Sequence, residues 1–183
     1  MINFRTVDYL ATENNRQKHC YELLDKHNII EILSRYSPVV AGTIPINIDI
    51  PSSDVDIICH VADLDAFERL LRDNFGGYKA FSVSEQQDNI FCKFNIDNQS
   101  FEIYAANIPV FRQNAYRHML IEYRILNLLG EKFRRQVIEL KLQGLKTEPA
   151  FAHLLKLRGN PFQEILELEN YSDRQIRNLY SRK

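Results

Sequence analysis

Two aspartates, Asp54 and Asp56, flank a single valine in the run Ser53-Asp-Val-Asp-Ile-Ile-Cys59. In a β-strand alternate residues project from the same face, so these two carboxylates would lie side by side. Like charges at that spacing repel each other unless a cation lies between them. A hard divalent cation such as Mg2+ meets that need, because it takes oxygen ligands and commonly brings phosphates with it. The alternative is a solvated acidic strand edge, since Asp-x-Asp alone is a common pattern.

A Gly-Thr pair, Gly42-Thr43, ends the apolar run that begins at Pro38, upstream of the two aspartates. Glycine lets backbone N–H groups approach a phosphate closely, and threonine adds a hydroxyl donor. We therefore expect Gly42 and Thr43 to contact the β- and γ-phosphates of a nucleotide, unless they form only an ordinary strand-ending turn. Ser53 either donates to a phosphate as well or caps the strand.

The motifs Ala41-Gly42-Thr43 and Asp54-Val55-Asp56-Ile57 resemble the signature of the nucleotidyltransferase superfamily with the DNA polymerase beta-like fold. In that signature a third carboxylate follows on a later strand, and Phe101-Glu102-Ile103 supplies the best candidate here. Thr43 stands where serine is usual and Glu102 where aspartate is commoner. Both departures keep the chemistry, a hydroxyl in one case and a carboxylate in the other.

The resemblance implies that Asp54 and Asp56 bind Mg2+ and that Glu102 assists as a metal ligand or general base. It further implies transfer of a nucleoside monophosphate from a nucleoside triphosphate, with ATP as the first candidate, to a small-molecule or protein acceptor. The alternative is a protein of the same fold that binds a nucleotide or a protein partner without turnover. If Glu102 points away, Asp49 and Asp97 are the next candidates for the third carboxylate.

The chain also resembles a narrower group, domain-of-unknown-function family 4269. Three stretches carry this resemblance: Ala41–Pro45, Gln113–Met119 and Gly144–Ala152. They span most of the sequence. The resemblance implies a fold but no established reaction, so the chemistry depends on the individual residues.

Three basic residues in the C-terminal half are further candidates for contact with a nucleotide: Arg117, His118 and Lys146. Lys146 precedes a predicted helix start, where the helix dipole and free N–H groups favour anions. Each residue has a plainer interpretation. Arg117 is then a solvated surface residue and His118 a hydrogen-bonded core histidine, while Glu148 beside Lys146 favours simple helix capping.

Composition limits the remaining functions. The chain has 183 residues and a formal net charge of −1, so it lacks the basic character expected of a protein that wraps nucleic acid. Its three cysteines share no metal-ligand spacing, which predicts free thiols in a reducing compartment. No apolar run approaches the roughly 20 residues of a membrane span, and the N-terminus lacks a secretory signal. We expect a cytoplasmic protein that has no membrane partner; its oligomeric state is left open.

The expected fold class is α+β: a nucleotidyltransferase-like mixed sheet flanked by helices, with a helical C-terminal half. Residues 1–110 form the predicted core and residues 111–183 a helical region packed on it as a single compact unit. The apolar patterns predict helices up to about Tyr36, strands at Ser37–Gly42, Val55–Val61, Tyr78–Val83, Ile90–Ile96 and Ser100–Ala105, and a helix at Asp63–Asn74. Further helices are predicted at Gln113–Leu129, Glu131–Gly144 and Thr147–Arg158, and after the capping box Ser172–Gln175.

Overall fold

A computed structural model describes residues 2–181, and a five-stranded sheet is their central feature. The strands are β1 (Val39–Ala41), β2 (Val55–His60), β3 (Lys79–Gln86), β4 (Asn89–Ile96) and β5 (Gln99–Ala106). The spatial order is β1-β2-β5-β4-β3. Because β2 and β5 run parallel and the other neighbours antiparallel, the sheet is mixed, as predicted.

The hairpin between β4 and β5 fixes which residues of these strands lie opposite each other. Its turn consists of Asp97 and Asn98, so Ile96 pairs with Gln99 and Lys93 pairs with Glu102. On the other side of β5, Glu102 pairs with Asp56 of β2. The expected placement of Glu102 on the strand beside the two aspartates is therefore confirmed.

The sheet separates an apolar face from a polar one. Alternate residues of β2 and β5, including Val55, Ile57, Phe101 and Ile103, are fully or almost fully buried. The residues between them point to the opposite face, where Asp56 and Glu102 lie. Period-two alternation in the sequence thus decides which side of the sheet carries charge.

Helices before and within the strand region cover the apolar face. They are α1 (Asn15–Lys26), α2 (Ile29–Ile32) and α3 (Leu64–Phe75). Asp63 caps α3 by accepting a hydrogen bond from the Ala66 backbone, and Gly76 follows its last residue. Phe67 and Leu71 are buried, whereas Leu70 is half-buried.

Three parallel aromatic rings form the centre of this core. Phe94 stacks on Phe75 with ring centroids 4.8 Å apart and on Phe101 with centroids 5.4 Å apart. All three side chains are completely buried. They join α3 to β4 and β5, so the stack helps to fix the register that places Glu102.

The C-terminal part of the chain is helical, with α4 (Asn114–Leu129), α5 (Glu131–Leu142), α6 (Thr147–Leu155), α7 (Pro161–Glu167) and α8 (Asp173–Ser181). The prediction that the third of these helices reaches Arg158 is wrong, because Lys156 adopts a left-handed conformation and ends α6 at Leu155. The next helix, α7, begins at Pro161, and the Asn160 side chain caps it. The Ser172–Gln175 capping box is confirmed.

The chain divides into two compact units. The first comprises the chain up to Asn47 together with Ser53–Gln113, and the second comprises Ile48–Ser52 and the chain from Asn114 onward. The expectation that the two halves pack as a single unit stays a prediction. Within residues 2–181 no helix has the length and apolar composition to cross a membrane.

The aromatic stack generates a stability prediction. Phe94→Ala removes a fully buried ring and should lower the free energy of unfolding by about 3–5 kcal/mol, which for a chain of this size lowers Tm by roughly 10 °C. Phe91 lies on the same strand but is 44% exposed, so Phe91→Ala serves as the matched control. Equal losses of Tm in the two variants would contradict the assigned register.

Candidate active site

Gly42 allows the carboxylate of Asp56 to lie against the end of β1. Ala41 pairs with Asp56 across the β1–β2 ladder, and Gly42 follows with a positive φ of 75°. A methyl group at Gly42 would overlap Oδ2 of Asp56. Glycine is thus required here both for the backbone conformation and for the space that the carboxylate occupies.

The loop between β1 and β2 closes on itself beside this glycine. The Thr43 hydroxyl donates to the Ser53 hydroxyl over 3.3 Å, so the two predicted phosphate-contacting side chains lie next to each other. Both are partly exposed. Two hydroxyls and a glycine turn therefore lie at one end of the aspartate pair, an arrangement that suits an oxyanion ligand.

The backbone carbonyl of Ser53 anchors the start of the aspartate motif. Arg16 Nη2 donates to it over 3.0 Å and Gln99 Nε2 over 3.1 Å. Gln99 is itself buried. One carbonyl held by a helix and by a strand fixes the position from which the Asp54 side chain projects.

Helix α1 also holds the middle of the loop. Asn14 and Gln17 form a capping box at the start of α1, and the same two side chains bond to the loop. Asn14 Nδ2 donates to Asn47 Oδ1 over 2.8 Å, and Gln17 Nε2 donates to the Pro45 carbonyl over 3.1 Å. The loop thus gains order from a helix that precedes it in the sequence.

Two of the carboxylates, those of Asp56 and Glu102, lie in one row across the polar face of the sheet. Register pairs run from Ala41 to Asp56, from Asp56 to Glu102 and from Glu102 to Lys93. Asp54 lies just before β2 and its side chain is 31% exposed, whereas the Glu102 side chain is 45% exposed. The three predicted metal ligands therefore come from two adjacent parallel strands.

A lysine ammonium lies among these carboxylates. Lys93 Nζ donates to Glu102 Oε1 over 2.6 Å and lies 3.9 Å from Asp54 Oδ2. The hydrogen bond to Glu102 raises the pKa of Lys93, and the negative charges of Glu102, Asp54 and Asp56 raise the pKa further. All three carboxylates therefore act electrostatically on one cation.

These residues fit a divalent cation in their chemistry. Three carboxylates form an all-oxygen donor set, which suits Mg2+, and the ammonium of Lys93 already takes a cation's place beside two of them. Among residues 2–181, no three His, Cys, Asp or Glu side chains lie close enough together to hold a metal ion as they stand. Glu102 is instead turned towards Lys93, so metal binding requires these side chains to rearrange.

The three basic candidates of the C-terminal half lie in the second unit. Arg117 forms an ion pair with Glu169, with 2.6 Å between Nη2 and Oε2. His118 is buried on α4, and Lys146 is the residue that precedes α6. Their predicted contact with a nucleotide stays a prediction.

His118 belongs to a buried polar cluster within the second unit. Its Nε2 donates to the Phe162 carbonyl over 2.8 Å, and its Nδ1 lies 3.2 Å from Glu148 Oε1. Burial alone would raise the pKa of Glu148, but the hydrogen bond and charge of His118 and the charge of Lys146 hold that pKa below its ordinary value. The plainer interpretation of His118, a hydrogen-bonded core histidine, thus has direct structural support.

Glu122 is the most deeply buried carboxyl of this cluster. Burial raises its pKa well above the ordinary value, and the charge of Glu148 raises the pKa further while that of Lys141 opposes the rise. Within the described part of the chain, Glu122 Oε1 has no hydrogen-bond partner. A carboxyl in this setting favours the protonated, neutral form.

Sequence reasoning missed the residues that support the site, namely Lys93, Arg16, Gln17 and Gln99. Lys93 had a readable signal, because a two-residue turn at Asp97-Asn98 places it opposite Glu102. The other three act through long-range hydrogen bonds. No local pattern in the sequence predicts those bonds.

The sequence matches one family model. Residues 22–168 match the family described as Domain of unknown function (DUF4269). No curated protein sequence matches the chain.

Solved structures resemble the chain in fold. The Cid1 poly(U) polymerase bound to MgATP has a TM-score of 0.57 at 11% identity, covering 87% of this chain and 53% of that one. The GLD-2/RNP-8 complex has a TM-score of 0.59 at 14% identity, and the match covers 94% of this chain and 79% of that one. The E. coli MS115-1 CdnC:HORMA-deltaN complex has a TM-score of 0.52 at 14% identity, and the match covers 94% of this chain and 66% of that one. These likenesses show a nucleotidyltransferase fold, as predicted, and the chain spans about half the length of the Cid1 chain.

Gly42→Ala should strain the backbone and displace the Asp56 carboxylate. We expect a loss of about 2–5 kcal/mol in the free energy of unfolding, from the left-handed conformation together with overpacking. Gly130 has a similar φ of 79° but open space where a Cβ would lie. Gly130→Ala therefore measures the backbone strain alone, about 1–2 kcal/mol, and equal losses in chemical denaturation would contradict the contact with Asp56.

Glu122 generates a pH prediction. Between the ordinary glutamate pKa of about 4.3 and the raised pKa in the folded state, the folded protein holds a proton that the unfolded chain has released. Stability therefore falls as the pH rises through that window. Glu122→Gln should make the free energy of unfolding fall less between about pH 5 and pH 8, whereas Glu139→Gln, at an exposed position on α5, should leave the slope unchanged. An unchanged slope in Glu122→Gln would contradict the raised pKa.

Proposed function

The chain belongs to the family Domain of unknown function (DUF4269) and has a nucleotidyltransferase fold, and from that premise we propose that it is a Mg2+-dependent nucleotidyltransferase. It moves a nucleoside monophosphate from a nucleoside triphosphate, ATP in the first instance, to a hydroxyl of a small-molecule or protein acceptor. The bond between the acceptor oxygen and the α-phosphorus forms as the α–β phosphoanhydride bond breaks. Pyrophosphate leaves with the bonding electrons, and the hydroxyl proton passes to a carboxylate or to water.

One observation carries this proposal: carboxylates from β2 and β5 lie around a single cation on the polar face of the sheet. Glu102 and Asp54 both lie within ion-pair distance of Lys93 Nζ, and Asp56 is the register partner of Glu102. Three neighbouring carboxylates repel each other, and the solubility of a sheet face does not require them. A phosphoryl-transfer site does require them, because its metal ions need oxygen ligands on one side and phosphates on the other.

Each residue then has a defined task. Asp54 and Asp56 hold the metal, and Glu102 completes the ligand set or accepts the proton of the acceptor hydroxyl. When bound, the metal would lower the pKa of that hydroxyl and stabilise the charge on the leaving pyrophosphate. Gly42, Thr43 and Ser53 bind the β- and γ-phosphates through backbone N–H groups and hydroxyls.

The basic residues of the second unit belong to the proposal in a secondary role. Lys146 is exposed before the first turn of α6, where its ammonium and the free backbone N–H groups favour an anion. Arg117 and His118 have protein partners in Glu169 and Glu148. They would contact a nucleotide only by exchanging those partners for a phosphate.

A cytoplasmic site of action is part of the same proposal. Cys59 and Cys92 are free and buried. Burial raises the pKa of Cys59 and Cys92 to about 12, which keeps both as thiols. Free thiols are usual in a reducing compartment.

The alternative function is nucleotide or partner binding without turnover. The ion pair between Lys93 and Glu102 is the observation that favours it, because a protein in which the lysine never leaves this carboxylate would not be catalytic. The two functions differ in whether nucleotide binding depends on metal and whether label is transferred.

The test compares wild type with Asp56→Asn, which keeps the size of the side chain and removes the charge. Wild type should gain about 2.7 kcal/mol of stability with Mg2+ and ATP at a hundred times Kd, a rise in Tm of roughly 5–10 °C. Asp56→Asn should fold normally but lose the Mg2+-dependent shift. Its transfer of label from α-32P-labelled ATP to an acceptor pool should fall by at least about 100-fold, since even outer-shell changes cost 10–100-fold.

Asp73→Asn is the matched control, because Asp73 is an exposed aspartate on α3. Asp73→Asn should show the same Mg2+-dependent rise in Tm as wild type and transfer the same amount of label. A wild type that shows a nucleotide shift without Mg2+ and transfers no label decides for the binding function. A wild type that shows neither shift nor transfer overturns both.

A further inference from the structure

Lys93 is the charged group at the site to which the proposed reaction assigns no task. It lies on β4 with its side chain on the polar face, and its register partner is Glu102. Its ammonium donates to Glu102 Oε1 over 2.6 Å and lies 3.9 Å from Asp54 Oδ2. Half of the side chain is exposed, so it has room to move.

We propose that Lys93 is a tethered counter-cation of the metal site: it holds the carboxylates in the metal-free protein, leaves them when a divalent cation binds, and then contacts the nucleotide phosphates. This inference rests on the proposed function, since it concerns the same carboxylates. It adds a competitor for the metal and a further phosphate ligand from the chain itself.

Competition follows from the shared oxygen atoms. Mg2+ binds oxygen at about 2.0–2.1 Å, and Glu102 Oε1 already has the ammonium 2.6 Å away. An ammonium and a divalent cation on the same oxygen would lie close enough to repel each other strongly. Lys93 must therefore move away before Glu102 Oε1 can act as a metal ligand.

The phosphate role follows from the tether. The flexible four-carbon stem of lysine lets the ammonium leave Glu102 while its Cα stays in the row of Asp56 and Glu102. Phosphates held by a metal on these carboxylates would carry the nearest unneutralised negative charge. A lysine binds phosphate as a mobile point charge, which fits a group that changes partners.

The identity of the residue also matters. Arginine would hold a carboxylate through two parallel hydrogen bonds and would be harder to displace than lysine. Methionine keeps much of the stem but has no charge. The series Lys93→Met, wild type and Lys93→Arg should therefore run from tight to weak metal binding.

The first experiment measures Mn2+ binding to the full chain without nucleotide, by the electron paramagnetic resonance signal of free Mn2+. An exposed ion pair is worth up to about 1 kcal/mol, so Lys93→Met should bind Mn2+ about fivefold more tightly than wild type. Lys93→Arg should bind at least as weakly as wild type. Lys79→Met is the matched control, since Lys79 is an exposed lysine on β3, and it should bind as wild type does.

The second measurement is Tm with and without Mn2+. Lys93→Met should melt below wild type in the metal-free state, because three carboxylates then lack their cation. Saturating Mn2+ should abolish or reverse that difference. Lys93→Gln provides a second uncharged variant, whose behaviour should match that of Lys93→Met.

The third measurement is ATP binding at saturating Mn2+, where Lys93→Met should bind several-fold more weakly than wild type and Lys79→Met should not. Equal Mn2+ affinity in wild type and Lys93→Met overturns the counter-cation role and leaves the proposed function standing. An equal rise in Mn2+ affinity in Lys79→Met also overturns the counter-cation role, because the change in net charge alone would then explain the effect. Equal ATP affinity overturns the phosphate role, and a protein that binds no Mn2+ in any variant overturns the proposed function together with this inference.

Discussion

The repulsion between like charges on adjacent strands is the constraint on which the site depends. Asp56 and Glu102 are register partners on β2 and β5, and Asp54 lies two residues earlier on the same side. Such a cluster persists only if the opposite face of the sheet fixes the strands firmly. The buried rings of Phe94 and Phe101 and the buried aliphatic residues of β2 supply that fixation. A slip of one residue in β5 would turn Glu102 into the apolar core and Phe101 towards solvent, so the core specifies the site's register.

Order at the other end of the site comes from hydrogen bonds as well as from the packing of the buried residues Ile44 and Ile46. The Ser53 carbonyl accepts from both Arg16 and Gln99, and helix α1 holds Pro45 and Asn47 through Gln17 and Asn14. Such bonds fix a loop without filling the space above it. Thr43 and Ser53 remain partly exposed. A loop that must meet a phosphate needs this combination of fixed backbone and accessible donors.

The sequence predicted the parts of the fold that local patterns determine. Apolar patterns identified all five strands, and a hairpin turn predicted at Asp97-Asn98-Gln99 placed β5 beside β4. The turn itself is one residue shorter, because Gln99 already pairs with Ile96. The sequence does not fix a helix boundary where the same residue pair can either end or begin a helix. Asn160-Pro161 ends a helix in one context and begins one in another, and here Asn160 caps α7. The end of α6 depends on the left-handed conformation of Lys156, and a lysine in the sequence does not predict that conformation.

The candidate site was predictable to the same extent. Gly42, Asp54 and Asp56 belong to one motif with a spacer between the glycine and the aspartates, and Glu102 follows from strand parity. The supporting residues Arg16, Gln17 and Gln99 reach the loop from a distant helix and strand, so their roles depend on the three-dimensional fold. His118 shows the limit of reasoning from residue type. Its burial, and its bonds to Glu148 and to the Phe162 carbonyl, support the plainer interpretation, a hydrogen-bonded core histidine, whose partners the sequence does not reveal.

A protein with a metal site on a sheet face must stay folded both with the metal and without it, although the carboxylates repel each other when the metal is absent. Two unit charges 4 Å apart interact by about 4 kcal/mol at the effective dielectric constant of a protein surface. Exposure of the Asp54 and Glu102 side chains, at 31% and 45%, reduces that cost through solvent screening. A cation from the chain reduces it further, at the expense of competing with the metal. An exposed lysine strikes that balance better than a buried arginine, because its pairing with a carboxylate is weak enough to be reversed by a divalent ion.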